Sequence, residues 1–257
     1  MNILVCVKQV LAAAVRVFPD AGSHWVRSES DEYVMNRFDE FAVEAALLLR
    51  ETMPTGRVDV ISVGPERAEA VIRRAMGMGV DNGIHVVTET HGYMNPAFTA
   101  ALMAACVRNR DYDLILTGVM SEDDMNGQAG PMMAEMLCLP CATAVIHMEM
   151  LGTSAVYVER EMEGGVRDAL EIQLPALLSV QSGAHQPRYP SLSKMLRANR
   201  HPIEMIRAEF LDAPTSGVHV ARTAFPGKTR AGCFLEGSAS EKAARLLKIL
   251  QARLLIR

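Results

Sequence analysis

The stretch from Asp111 to Ala142, DYDLILTGVMSEDDMNGQAGPMMAEMLCLPCA, constrains the fold more than any other part of the chain. Leu114, Ile115 and Leu116 form a short apolar run between acids and Thr117-Gly118, the pattern of a buried parallel strand. From about Asn126 or Gly127 the pattern changes: Met132, Met133, Met136 and Leu137 recur at helical spacing, and Pro140 ends the segment. Between the two lies a loop of Gly, Ser, Asp and Asn. A strand, a polar loop and a helix N-terminus make up the place where open α/β sheets bind nucleotides.

The loop carries a conflict. A helix N-terminus attracts phosphate, whereas Glu122, Asp123 and Asp124 repel it at close range. Carboxylates suit ribose hydroxyls, while Gly127, Gln128, Ala129 and Gly130 offer backbone N–H groups and room. On spacing alone the pattern gives a location without a fingerprint, so an acidic loop that only caps a helix stays open beside nucleotide binding. The methionines of the helix read as core.

The rest of the chain extends the same alternation. A strand opens it at Asn2–Val7, with Lys8 and Gln9 at its carboxyl end. Val15–Val17 and His24–Arg27 flank the turn residues Pro19-Asp20-Ala21-Gly22, a hairpin extending from the sheet. Asn36 is placed to cap a helix to about Thr52, with Phe41, Ala45, Leu48 and Leu49 inward and Pro54 closing it. A strand at Val58–Val63, a helix from Pro65 to about Met76, a strand at Ile84–Val87 and a helix from Asn95 to Arg108 follow. The glycines of MGMGVDNG follow a helix and lead into a strand, the reverse of a dinucleotide fingerprint, and read as a helix terminus and turn. With a further strand at Thr143–Met148, this order predicts a parallel sheet with helices on both faces.

After Met150 the alternation stops. Ala155–Met162 and Val166–Ile172 read as a second hairpin around Glu163-Gly164-Gly165, and Leu174–Val180 as a buried strand. Glu159, Glu161 and Glu163 alternate on one strand face and read as solvated. Gln181 to Pro202 is polar and basic, and Pro214 to Gly237 has no periodicity. Ser240 is placed to cap a last helix whose stripe of Ala243, Ala244, Leu246, Leu247, Leu250 and Leu254 either crosses to a partner chain or folds back on its own sheet. The chain divides on this reading into an α/β domain over 1–183 and an arm over 184–257.

Composition excludes several classes. A formal charge of −4 over 257 residues argues against a general nucleic-acid binder. No apolar stretch of about 18 residues is present to span a membrane, and Ile3–Val7 is too short for a signal peptide, which together point to a cytoplasmic setting. The five cysteines are scattered. The pair Cys138-Leu-Pro-Cys141 follows a helix, whereas thiols are activated at helix N-termini, so it reads as structural. The histidines His24, His85, His91, His147, His185, His201 and His219 show no metal-ligand spacing, and neither a catalytic triad order nor a P-loop is present.

Several strings resemble the β subunits of electron-transfer flavoproteins over nearly the whole length: ILVCVKQV, MNRFDEFAVEAA, ISVGP, AMGMGVDNGIHV, the loop GVMSEDDMNGQAGPMMAEML, and VEREMEGGVRDALEIQLPALLSV followed by QPRYPSLSKMLRANRHPIEMI. The resemblance implies a doubly wound, mostly parallel α/β fold of the adenine-nucleotide-binding, Rossmann-like type, with a β-hairpin addition and a C-terminal arm. It implies an electron carrier that pairs with an α subunit holding most of a redox-active FAD. The β chain itself buries AMP or, in the bifurcating branch, a second FAD. Flavin dehydrogenases such as an acyl-CoA dehydrogenase are the implied electron donors, with no nucleic acid and no membrane insertion.

The resemblance also implies a site. Cys6 falls at the nucleotide end of the first strand and Val63 after the second. Asn36, Phe38 and Asp39 fall at a turn near both cofactors, with Phe38 close to the α-bound flavin. Asp123, Gln128, Ala129, Gly130 and Met132 fall on the principal nucleotide loop, and Leu192 on a loop that docks partner dehydrogenases. No residue is implied to be catalytic. The chain departs from the pattern at Val119-Met120-Ser121, which lacks a polar amide, at Met125 in place of an acid, at Ala13 in place of an aromatic, and at Asn95, where bifurcating members often carry Asp. AMP and FAD both stay open. Three rival readings are a bifurcating complex with its own FAD, a homodimeric adenine-nucleotide sensor, and an ATP-using enzyme. The last would need a phosphate loop after the first strand, and Lys8-Gln9-Val10-Leu11 is not one.

Overall fold

The computed structural model describes the chain except residues 21–24, 54, 90–91, 184, 215–217, 219, 226, 228–231 and 254–257. The expected turn at Ala21-Gly22, the closing Pro54, the stripe residue Leu254, and His24, His91 and His219 lie outside the described residues. The described residues divide into two compact units, Met1–Thr223 and Ala224–Arg257.

The first unit is built on nine strands. Its element order begins with β1 (Asn2–Cys6), then β2 (Gln9–Leu11), β3 (Val17–Pro19), β4 (Val26–Ser28), β5 (Tyr33–Met35) and α1 (Arg37–Thr52). Next come β6 (Arg57–Gly64), α2 (Glu69–Met78), β7 (Asn82–Val87), α3 (Pro96–Val107), β8 (Leu114–Gly118) and α4 (Ala129–Leu137). The unit ends with β9 (Cys141–Leu151), β10 (Ala155–Glu161), β11 (Arg167–Gln173), β12 (Ala176–Val180), α5 (Leu192–Ala198) and β13 (Ile203–Arg207). The main sheet runs β11-β10-β9-β12-β8-β1-β6-β7-β13. It is parallel from β9 to β13, and β10 is antiparallel to both of its neighbours, β9 and β11. The expected α/β sheet with a hairpin addition is therefore present. Beside it stand two small antiparallel pairs, β2 with β5 and β3 with β4.

Alternation along the central strands loads both faces. Ile3, Val5, Val58, Val60, Leu114 and Leu116 point to the side of α1 and α2, where Phe41, Ala45, Leu47, Leu49, Val71, Ile72 and Ala75 meet them. Leu4, Cys6, Ile61, Ile84, Val86 and Ile115 point to α3 and α4, where Leu102, Met103, Met133 and Ala134 cover them. Side chains that alternate across a strand and are apolar on both faces require such a sandwich. Met133 is fully buried and Met132, Met136 and Leu137 pack against the same core, so the methionines of this helix are core residues.

Local chemistry shifts several expected boundaries. α4 begins at Ala129, not near Asn126, because the Asn126 side chain accepts the Gln128 N–H at 2.8 Å and holds a turn there. Asn95 caps α3 as its position suggests, accepting the Ala97 N–H at 2.8 Å. Asn36 occupies the N-cap position of α1, but its side chain is used elsewhere. The polar run from Gln181 to Pro202 contains α5, which periodicity did not reveal because the helix is only two turns long. β13 then completes the sheet at β7.

In the second unit, α6 (Ala239–Ala252) is capped by Ser238 and not by Ser240. The Ser238 hydroxyl accepts the Glu241 N–H while the Glu241 carboxylate accepts the Ser238 N–H at 2.7 Å, a reciprocal capping box. No residue of α6 is buried. Truncating a fully buried side chain tests the first unit's core: Leu116→Ala is expected to lower stability by about 2–5 kcal/mol in urea titration, with the native-state spectrum retained.

Candidate functional site

The sheet order reverses between β1 and β8. From β1 the chain moves outward through β6 to β7, then returns to place β8 on the other side of β1. The loops that follow these two strands leave in opposite directions and open a crevice at their carboxyl ends, as topological switch points do. A cleft of about 450 Å³ lies there. Its floor is Cys6, Val7, Thr117 and Gly118, and its walls include Val63-Gly64-Pro65, the turn Met120–Asp124, and Ala129-Gly130. The end toward Val17, Trp25, Tyr93, Met94 and Pro96 is more apolar, and the Trp25 and Tyr93 rings pack there 4.8 Å apart.

Two buried polar side chains from the start of α1 fix the crevice. Asp39 accepts the Lys8 N–H at 2.7 Å and the Gly118 N–H at 3.1 Å, tying the ends of β1 and β8 to the helix. Asn36 donates to the Met120 carbonyl at 2.9 Å and accepts the Glu122 N–H at 3.1 Å. Gly118 permits this approach, since a Cβ there would lie 2.8 Å from the Phe38 backbone and side chain. The Cys6 thiol donates to the Met133 sulfur at 3.9 Å, and burial, with the Asp39 carboxylate beside it, pushes its pKa up. It stays a thiol at neutral pH and is not a nucleophile.

The acidic turn spends its charge on the protein. Glu122 accepts the Arg37 N–H at 3.1 Å, within the first turn of α1 where a carboxylate is favoured. Asp124 accepts from the Ser121 hydroxyl and from the Asn126 N–H. Asp123 pairs with the Lys8 ammonium at 2.7 Å. The conflict between these acids and a phosphate-attracting helix end is thus reduced by geometry the sequence did not disclose.

At the start of α4 the backbone comes close to its neighbours. A Cβ on Gly130 would lie 2.7 Å from the Thr117 hydroxyl, and one on Gly127 would lie 2.6 Å from the Val119 carbonyl. Pro131 in the first turn has no N–H, so the Ala129 and Gly130 N–H groups are those the helix end can offer. Thr117 is 7% exposed, and its hydroxyl has no partner among the described residues. An orphaned hydroxyl at a crevice floor is the kind of group that a ligand or ordered water completes.

The structure brings Cys6, Asn36, Asp39, Val63, Asp123, Ala129 and Gly130 to this one cleft. Phe38 packs beside Gly118 and is not among the residues that line the cleft. Gln128 is exposed just before α4, and Met132 is partly buried in the core beneath that helix. Lys8, Thr117 and the Trp25–Tyr93 pair also line the cleft. Lys8 and Thr117 carried a signal, since each sits at the carboxyl end of a strand beside the switch point. Trp25 and Tyr93 carried none, because separate loops bring them together.

Leu192 lies at the start of α5 and is 77% exposed, with Tyr189 and Leu196 exposed nearby. The segment is held from beneath. Glu44, only 4% exposed on α1, accepts the Arg188 backbone N–H at 2.9 Å and its guanidinium at 2.9–3.1 Å, while Glu51 accepts from the same guanidinium at 2.7 Å. Met195 of α5 packs onto Gly77 of α2.

The fold and crevice define a doubly wound α/β protein with an open cleft at its switch point. A family model described as the electron transfer flavoprotein domain matches residues 24–211. Proteins named electron transfer flavoprotein subunit beta are similar over almost the full chain. The one from Bacillus subtilis (strain 168) is 30% identical over 257 residues, covering 98% of each chain. The one from Sus scrofa is 33% identical over 255 residues, covering 97% of this chain and 98% of its own. The chain belongs to the electron transfer flavoprotein β-subunit family.

Burial pushes the Asp39 carboxyl up to about 7, against the Lys8 and Gly118 N–H groups that hold it down. A group whose folded pKa is raised contributes stability that is present below its unfolded value, near 4, and lost as pH rises through about 7. Urea midpoints are therefore expected to fall across that window in the wild type, with a flatter profile in Asp39→Asn. Identical slopes in the two proteins would show that Asp39 ionises normally.

Proposed function

We propose that this chain is the β subunit of a heterodimeric electron carrier. In this reading it keeps an adenine nucleotide seated in the cleft between β1 and β8 and pairs with an α subunit that holds most of an FAD. Electrons pass from a flavin dehydrogenase, such as an acyl-CoA dehydrogenase, through that FAD to a downstream acceptor. The observation that carries the reading is an open cleft at the switch point, most of whose lining falls in the residues 24–211 that match the family. The Ala129 and Gly130 N–H groups and the Thr117 hydroxyl suit a phosphate at the start of α4. Asp123 suits a ribose hydroxyl, and the apolar walls at Cys6 and Val63 suit a base.

Redox chemistry belongs to the flavin, which takes up and releases electrons; the chain's residues set its surroundings. Asn36, Phe38 and Asp39 form the turn that faces the shared cofactor, and Asn36 and Asp39 keep that turn rigid through their buried hydrogen bonds. Leu192 is the apolar anchor for the dehydrogenase, presented by a helix that is clamped by Arg188 and Glu44. The exposed Leu246 and Leu247 of the α6 stripe suit an arm laid against the α subunit. No helix among the described residues is long and apolar enough to cross a membrane.

A second reading has one observation in its favour. The cleft continues to the apolar end at Trp25, Tyr93 and Met94, which would suit the larger body of a second FAD, as in bifurcating members. Co-purification with the α subunit, denaturation and chromatographic counting of released FAD and AMP separates the two. One FAD and one AMP are expected; two FAD would replace the carrier by the bifurcating reading, and neither compound would favour the nucleotide sensor. Leu192→Ala is expected to raise the KM for the dehydrogenase about tenfold, the loss of one apolar hot spot, with flavin content unchanged. An unaltered KM would remove the docking role.

A further inference from the structure

We propose that Lys8 is a binding residue of this cleft: its ammonium compensates the acidic turn, so that a cleft lined with carboxylates can hold an anionic nucleotide. The proposal rests on the nucleotide-binding reading and assigns a residue and a charge preference to that site. Lys8 follows β1, and its backbone N–H is held by Asp39 at 2.7 Å, which fixes where the side chain starts. Its ammonium crosses the crevice to Asp123 at 2.7 Å and lies 3.7 Å from Asp124.

The charge balance around the cleft gives Lys8 its weight. Asp39, Glu122, Asp123 and Asp124 line it, and among the described lining residues the lysine and arginine cations are Lys8 and Arg67. The Arg67 guanidinium lies over the Tyr33 ring, 4.4 Å from its centre. Glu122 and Asp124 are occupied by N–H and hydroxyl donors of the turn and of α1. Asp123 has the Asp124 N–H and the Lys8 ammonium. Without Lys8 the Asp123 carboxylate would face the ligand uncompensated, and like charges at such range repel strongly outside bulk water. The Thr117 hydroxyl on the floor, without a partner among the described residues, and the start of α4 independently mark that side of the cleft as a place for acceptor oxygens.

The test compares AMP with adenosine, which lacks the charge. The full chain is co-produced with its α subunit, stripped of nucleotide and titrated calorimetrically with each compound. Lys8→Gln is expected to weaken AMP up to about fivefold, the scale of one partly exposed charge pair, and to leave adenosine unchanged. Adding Asp123→Asn to Lys8→Gln removes the uncompensated charge and also alters the ribose contact shared by both compounds, so the ratio of AMP to adenosine affinity is expected to return to the wild-type value. Equal weakening of both compounds would reduce Lys8 to a structural role, and unchanged AMP affinity would overturn the proposal outright. Failure of that ratio to recover in the double variant would show that Lys8 acts on something other than the turn. If the wild-type protein binds neither compound, the nucleotide-binding reading fails instead.

Discussion

The site depends on a single buried carboxylate bridging two strands. Parallel strands that part at a switch point have nothing in their own ladder to set how far their following loops stand apart. Asp39 supplies that constraint from α1 by accepting one N–H from the end of each strand. Gly118 permits the approach because it has no side chain to intervene. Asn36 extends the bracing to the acidic turn. The walls of the crevice are therefore positioned by backbone groups and short side chains, which have little rotamer freedom to lose when a ligand arrives.

Most of the sheet was legible in the sequence because its central strands are apolar on both faces and its helices alternate with them. The features that escaped share a physical cause: short elements stabilised by tertiary contacts leave no period. β2, β5 and β13 are three to five residues each, and α5 is held through Arg188 and Met195, not by an amphipathic stripe. At α6 two serines stand close enough to compete for the cap. Ser238 has Glu241 three residues on and can close a reciprocal box; Ser240 has Ala243 there and cannot.

The candidate site was legible in location and less so in composition. Cys6 came from the family resemblance, while Lys8 and Thr117, at strand ends beside the switch point, were not named as site residues although their positions carried a signal. The charge of the turn could not be read correctly from its letters, because Glu122, Asp123 and Asp124 each point at a different donor. Consecutive acids in a sequence suggest a concentrated negative field. In the fold, a lysine, a helix N-terminus and a serine hydroxyl disperse that field.

The order in which the sheet is completed bears on how the chain is made. β7 is formed early, yet its outer neighbour is β13, from nearly the end of the first unit. During synthesis the backbone groups of β7 along that side stay without strand partners until Ile203–Arg207 have emerged. An unprotected parallel edge of this kind is a template for wrong pairing between nascent chains. The Arg110–Glu204 ion pair and the Arg73 bonds to the Ala198 and His201 carbonyls then fasten the late strand in place. Ribosome stalling or truncation before residue 203 would leave that edge uncovered, making the last strand as much a guard against aggregation as a part of the sheet.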